Sequence, residues 1–436
     1  MHERSKERAM DERTVKDGSS NAGTTSERKP QTKRAAFRLE SWFLEELLER
    51  AHLERVGLVE HFREQSDSSA ADQEPKTKDR FAEKSIPSLE HLNEIVQASF
   101  WASLRKEEGK FAKFAVAYEE KDNDPWTIAL KETKSFDVEH LAKLAPAIGN
   151  LTSAIKVYPN ADGVLEIWGV SNYYSTPLKV KILDPGQIIV SYFIKNVAAI
   201  SGEESVFIES SLHDRSAFIW SRLQLGDSAR DFSPDTDLRV TTILNTLRAM
   251  RALERGGTII IVPEDEKWRK SLSSINYEGS PPQFVMHDLI KENNEFLSRD
   301  DYTKESIERR FSIFFELERL SASLAQLTAV DGATLISRQM DVVGFGAKII
   351  YDPKAENPVC IDKIDPLEYE GAVTELKLRE YGGMRHQSAA QFVSENREAI
   401  AIVVSQDGNV TGFVSSDDQE ASGSVLAFAR LELTLF

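Results

Sequence analysis

The sequence predicts an α/β protein: a C-terminal mixed sheet flanked by helices, preceded by a smaller α+β domain and a disordered N-terminal tail. Three observations predict it. Residues 1 to about 38 are charged, rich in Ser and Thr, and nearly free of large apolar groups, so they have too little to bury to offset the entropy of ordering. Between residues 86 and 233, short alternating runs follow one another, separated by turn signals. From residue 234 to 416, all-apolar strand-length runs alternate with stretches of helical period.

Composition narrows the functional classes. The chain has 436 residues, enough for two or three domains, with 41% hydrophobic and 29% charged residues, as in a soluble globular protein. Its net charge of −17 argues against non-specific binding to nucleic acid or to an anionic membrane, both of which use basic patches. An anionic ligand would need a local positive site working against that field. The single cysteine, Cys360, excludes an internal disulfide framework and a cysteine-based zinc site. No apolar run is long enough to span a membrane, and the N-terminus has no apolar signal core, so a cytoplasmic protein is expected.

In order along the chain, an amphipathic helix is expected over residues 39–64, where Phe43, Leu44, Leu47, Leu48, His52 and Leu53 recur at helical spacing. It either packs on its own domain or serves a partner. A polar linker spans 65–85. Then "PSLEHLNEIVQASFWASL" reads as a helix, "KFAKFAVAYEE" as a strand and "DVEHLAKLAPAI" as a helix. "AIKVYP", "VLEIWGV", "LKVKIL" and "QIIVSYFI" read as strands of a mainly antiparallel sheet, with turns at "PNADG" and "DPGQ". Trp168 and Tyr173–Tyr174 could line a pocket or simply pack.

In the second half, Asp235 or Thr236 caps a helix with Val240, Leu244, Leu247 and Met250 inside, and Gly256–Gly257 ends it. "TIIIVP" reads as a strand buried on both faces. An irregular polar stretch follows, then a long helix from about Lys304 to Ala329. Ile307, Phe311, Phe314, Leu317, Leu320, Leu324 and Leu327 mark its expected buried face. "DGATLIS" and "DVVGFGAKII" are strands, an irregular loop runs from Pro353 to Pro366, and "VTELKL" precedes the stretch "GGMRHQSAAQF". Ser388 to Asn396 has helical character. "AIAIVVSQDGNVTGFV" reads as two strands around a D-G turn, and residues 417–436 form a C-terminal segment.

Two of these stretches carry chemistry. In "VDGAT", Asp331 stands at a strand edge, with Gly332 and Ala333 leaving room for a metal ion or a ribose; Asp-Gly is also an ordinary turn dipeptide. In "GGMRHQSA", two glycines run into a helix start, whose free N–H groups and dipole favour an anion. Arg385 adds a two-pronged donor, and His386 can donate to phosphate or ligate a metal. An Arg–carboxylate pair beside a capping histidine would leave the same pattern.

Taken together, "DGA", then "RHxxA" about fifty residues on, then "IVVSQDG" resemble the diadenylate cyclase (DAC) domain over roughly Asp235 to Val414. That family carries DGA, an RHR motif usually preceded by Gly-Thr, and a strand ending in Ser-Glu-Glu. Here Gln387 stands for the second arginine, Met384 for the threonine, and Gln406 and Asp407 for the two glutamates. "GFGA", "RHQSA", "SQDG" and the upstream "LEIWGV" look more like the DACNV offshoot, described as a probable nucleotide sensor, and residues 86–233 look like its N-terminal domain.

The resemblance implies a nucleotide site of Asp331, Gly332, Ala333, Met384, Arg385, His386, Gln387, Ser388 and Ser405. Asp331 and His386 are its implied metal ligands, and Asp331, Arg385 and His386 its catalytic residues if it is an enzyme. The implied ligand is ATP, another adenine nucleotide or a cyclic dinucleotide. A cyclase would add Mg²⁺ or Mn²⁺ and a homo-oligomer through the DAC-like domain, two sites facing each other to make cyclic di-AMP and pyrophosphate from two ATP. A sensor fits the departures better, because losing one arginine removes a charge-assisted contact worth about 10- to 100-fold in rate or affinity.

Overall fold

The computed structural model describes residues 37, 39–66, 86–121, 127–148, 153–171, 178–192, 195–208, 238–280, 284–299, 303–351, 359–367, 373–416 and 424–435. The tail expected over 1–38 (Phe37 apart), most of the expected linker, the Asp235/Thr236 cap and Tyr173–Tyr174 lie outside the described residues.

Helix α1 (Ser41–Ser66) buries Phe43, Leu44, Leu47 and Ala51. Leu53, expected inside, is 65% exposed, because the buried stripe runs through Ala51 instead. Helix α2 (Leu89–Ser103) starts at Ser88, whose hydroxyl accepts the His91 N–H at 3.2 Å, and it buries Leu92, Ile95, Val96 and Phe100. A small hairpin, β1 (Lys106–Glu107) and β2 (Lys110–Phe111), precedes β3 (Ala115–Tyr118), so "KFAKFAVAYEE" forms two short strands rather than one. Then come β4 (Thr127–Ser135), α3 (Val138–Leu144), β5 (Ala154–Pro159), β6 (Leu165–Ser171), β7 (Leu178–Asp184), β8 (Gln187–Tyr192), β9 (Lys195–Ser201) and β10 (Glu204–Phe207). They make an eight-stranded sheet in the order β10-β9-β8-β7-β3-β5-β6-β4. Only β3–β5 is a parallel pair among its described neighbours. Phe43 of α1 stacks on Phe207 of β10, ring centroids 4.5 Å apart, so α1 packs on this sheet.

The second sheet has nine strands. After α4 (Leu238–Ala252) come β11 (Gly257–Val262), β12 (Leu272–Glu278), α5 (Met286–Ser298), α6 (Lys304–Leu327), β13 (Ala333–Ser337), β14 (Val342–Ile349), β15 (Cys360–Ile364) and β16 (Val373–Lys377). Helix α7 (Met384–Glu395), β17 (Ile400–Val404), β18 (Val410–Ser415), β19 (Ser424–Phe428) and α8 (Glu432–Leu435) complete the chain. The order is β12-β14-β13-β11-β17-β18-β19-β15-β16, mixed in direction, with β11–β13 and β15–β19 parallel. The "irregular" stretch before Lys304 thus holds β12 and α5, and β15 interrupts the loop expected up to Pro366. The segment after residue 416 supplies β19 to the same sheet.

Strand alternation divides the core. Ile259, Ile261, Ile336, Ile400 and Ile402 face α4, α5 and α6, whose Val240, Leu247, Leu289, Leu317, Leu320 and Leu324 cover them. Ile260, Val262, Leu335, Ala401 and Val403 face α7, which contributes Ala389, Ala390, Phe392 and Val393. The chain is therefore a mixed α/β protein, with helices on both faces of the larger sheet. On α6 the buried row runs through Ile313, Leu317, Leu320 and Leu324, while Ile307 (39%) and Phe311 (57%) turn outward, against expectation.

The two sheets share a core, since Leu183, Ile189 and Ala199 of the first join the cluster under α4. Arg251, 7% exposed at the end of α4, ion-pairs with Asp184 at the end of β7 and donates from Nε to the Gly408 carbonyl at 2.6 Å. No helix among the described residues is long and apolar enough to cross a membrane.

Candidate functional site

Four adjacent strands bring the sequence motifs to one end of the larger sheet. Register pairs Gly257 with Val404, Ile259 with Thr334, and Ala333 with Ala347. Gly256, the Asp331–Gly332 turn, Lys348 and the Ser405–Asn409 turn, each next in sequence to one of those positions, therefore lie at the same edge.

The turn before β13 is held close. Gly332 has φ of +118°, and a methyl on it would meet the Gly346 carbonyl carbon at 2.6 Å and the Ala347 oxygen at 2.8 Å. This contact sets Asp331 over β14, where the Lys348 ammonium ion-pairs with its carboxylate. That hydrogen bond and charge, with the more distant charge of Arg385, hold the Asp331 carboxyl below the ordinary carboxylate range. Ala333 opens β13 and is buried.

Helix α7 begins at Met384, four residues earlier than the sequence suggests, so Arg385 and His386 lie in its first turn. Gly383 is the N-cap and supplies no side-chain acceptor, which leaves the helix end's N–H groups without a side-chain cap. Arg385 is exposed and reaches across to β11 and β17. A methyl on Gly256 would stand 3.0 Å from Arg385 Nη1 and from the Val404 carbonyl, and 3.2 Å from the Gln406 nitrogen. The Ser405–Asn409 turn is closed by Gly408 N–H to Ser405 O at 3.1 Å and Asn409 N–H to Ser405 Oγ at 3.1 Å. Accepting there leaves the Ser405 hydroxyl proton to donate elsewhere. Arg385, Asp331 and the Ser405 turn thus come together.

The remaining motif residues point to other work. The His386 ring packs edge-on to Tyr381 and to Phe413, each at 6.1 Å, and burial, with Arg385 beside it, lowers its pKa toward the neutral form. Gln387 accepts from the Tyr351 hydroxyl at 2.7 Å and donates to the Gly382 carbonyl at 3.1 Å. Ser388 Oγ donates back to the Arg385 carbonyl at 3.2 Å, and Met384 is 64% exposed. Sequence reasoning missed Lys348, Gly256 and Tyr351. The signal for Lys348 was its own strand, where alternation puts a lysine on the face of Gly344 and Gly346.

A divalent ion fits this donor set poorly. Asp331 is ion-paired to an ammonium, His386 is wedged against aromatic rings, and no group of three or more His, Cys, Asp or Glu side chains gathers among the described residues.

Comparison with known proteins locates the family. Residues 82–172 match the family described as "Probable sensor domain DACNV". That stretch runs from α2 to the end of β6 and stops before the cleft. Among curated proteins, none matches the chain. Two solved structures are similar: a hypothetical membrane spanning protein from Bacillus cereus (13% identity, 50% of this chain and 76% of that one, TM-score 0.25) and a double mutant of DacA from Staphylococcus aureus (12% identity, 45% and 89%, TM-score 0.23). The α2–β6 part of the smaller sheet thus matches the family described as a probable sensor domain, DACNV.

Proposed function

We propose that the larger sheet's cleft binds an adenine nucleotide or a cyclic dinucleotide and that the chain acts as a sensor of that ligand. One observation carries the reading: the Arg385 guanidinium stands at the start of α7, which has no side-chain cap, against Gly256 and the Ser405–Asn409 turn, with its charge reaching Asp331. Backbone N–H groups, a guanidinium and a hydroxyl at one sheet edge are what a phosphate needs. Asp331 is the group that would meet a ribose hydroxyl.

The coupling that a sensor needs has a structural counterpart. The Gly408 carbonyl, in the turn that carries Ser405, accepts from Arg251, which also holds Asp184 of the smaller sheet. A ligand that moves this turn changes a buried contact between the sheets.

Turnover is the less supported alternative. Condensation of two ATP to cyclic di-AMP requires charge neutralisation at each leaving pyrophosphate, and here Gln387 is committed to Tyr351 and Asp331 to Lys348. The test is calorimetric titration of the full chain with cyclic di-AMP, AMP and ATP, alongside mass spectrometry after incubation with ATP and Mg²⁺ or Mn²⁺. Binding without cyclic di-AMP formation is expected. Arg385→Ala should weaken binding about 10- to 100-fold, the worth of a lost charge-assisted contact. Formation of cyclic di-AMP above a protein-free control would replace the sensor by a cyclase.

A further inference from the structure

We infer that the cleft takes its phosphate ligand without a divalent ion, with Lys348 as the built-in cation. The inference rests on the nucleotide reading above and adds a cofactor requirement and a ligand class to it.

The geometry begins with two glycines. Gly332 and Gly346 lie so close that a methyl on the first would overlap the second's carbonyl carbon. The turn is pressed onto β14, and the next residue along that strand with its side chain on the Gly346 face is Lys348. Strand register brings its ammonium to Asp331, whose side chain is 89% exposed. Arg385, exposed at the start of α7, is a second cation whose charge reaches the same carboxylate. A divalent ion placed at Asp331 would face both.

The balance of charge selects the ligand. Lys348 and Arg385 offset Asp331 and the exposed Asp407 of the neighbouring turn, so this edge is locally neutral within a chain of net charge −17. Lys348 uses part of its donor capacity on Asp331 and is 40% exposed, so its remaining N–H groups reach the cleft. The remaining Lys348 N–H groups and the Arg385 guanidinium can meet a bare phosphomonoester or phosphodiester. A triphosphate in solution carries its own Mg²⁺, and that ion would be brought against Lys348 and Arg385. The ligand class is therefore a nucleoside monophosphate or a cyclic dinucleotide, in preference to Mg·ATP.

The test is titration of the full chain with cyclic di-AMP and with AMP, once in EDTA and once in Mg²⁺. The expected dissociation constants agree within about twofold between the buffers, and Lys348→Met weakens binding about tenfold or more in both. Lys348→Arg, which keeps the charge, restores most of that loss. A second measurement needs no nucleotide: Mn²⁺ added to the protein alone keeps its free-ion electron paramagnetic resonance signal. Nucleotide binding seen only with Mg²⁺, or stoichiometric Mn²⁺ uptake that Asp331→Asn abolishes, overturns the inference and leaves the nucleotide reading standing. No binding of either nucleotide in either buffer overturns the nucleotide reading itself, and the inference with it.

Discussion

At the scale of single residues, Gly332 has the least freedom to change. Alanine there combines a left-handed backbone with overlap at 2.6 Å on neighbouring backbone, which cannot swing aside as a side chain can. Gly332→Ala is expected to lower unfolding free energy by about 2 kcal/mol or more, read by urea titration. Gln387 makes a second case. An arginine there keeps donors for the Gly382 carbonyl but loses the acceptor that the part-buried Tyr351 hydroxyl uses. Gln387→Arg should therefore cost about 1 kcal/mol of stability and yield no cyclic di-AMP. Motif residues such as Asp331 and Arg385 were legible in the sequence because each stands in a short contiguous pattern. Lys348 was not, because its partner is set by strand register between Ala333 and Ala347, with a shift just beyond, and spacing along the chain does not encode that register.

At the scale of elements, periodicity announced the helices, but their phase was harder to read. On α6, Phe311 and Phe315, four residues apart, share an outward face and Phe314 is half-buried, so apolar character alone does not say which residue is buried; Ile313 is, and Phe311 is not. The start of α7 was missed because its cap is Gly383, which lacks the oxygen that marks Ser, Thr, Asp or Asn caps. Helix α3 shows the opposite case: Asp137 accepts from the Glu139 and His140 N–H groups at 2.9 Å each. Helix α1 offers a contrast to measure. Phe43 is 1% exposed and stacked on Phe207, so Phe43→Ala should cost about 3–5 kcal/mol in chemical denaturation. Trp42, 60% exposed one position earlier, should lose less than about 1 kcal/mol on the same change. Equal effects of the two would contradict the docking of α1 on β10.

For the whole molecule, the alternation of strands and helices in the sequence announced the mixed α/β class. It did not announce the shared core or the ion pair between the sheets, since Arg251, Asp184 and Gly408 are brought together only by packing. Near them Glu432 is fully buried; its carboxylate accepts the Val410 N–H at 2.6 Å, and burial raises its pKa from 4.5 to about 7 despite Arg251. The folded chain keeps that proton at pH values where the unfolded chain has released it. Its contribution is therefore complete below about pH 4.5, is lost as pH rises through about 7, and is on the order of 3 kcal/mol. His386 acts with the opposite sign: its lowered pKa makes its contribution complete above about 6.5 and lost as pH falls through the folded value. Glu432→Gln should flatten the loss of stability between pH 5 and 8, seen in urea midpoints. The place of β19 adds a consequence in time. Strand β19 sits inside the larger sheet, between β18 and β15, and among the described strands β15–β16 joins the rest of that sheet only through it. During synthesis the smaller sheet can close as soon as β10 has left the ribosome. The larger sheet must wait, its β15–β16 hairpin unseated, until β19 has been made and has emerged. A ribosome stalled a few codons before β19 would hold a formed smaller sheet beside an open larger one.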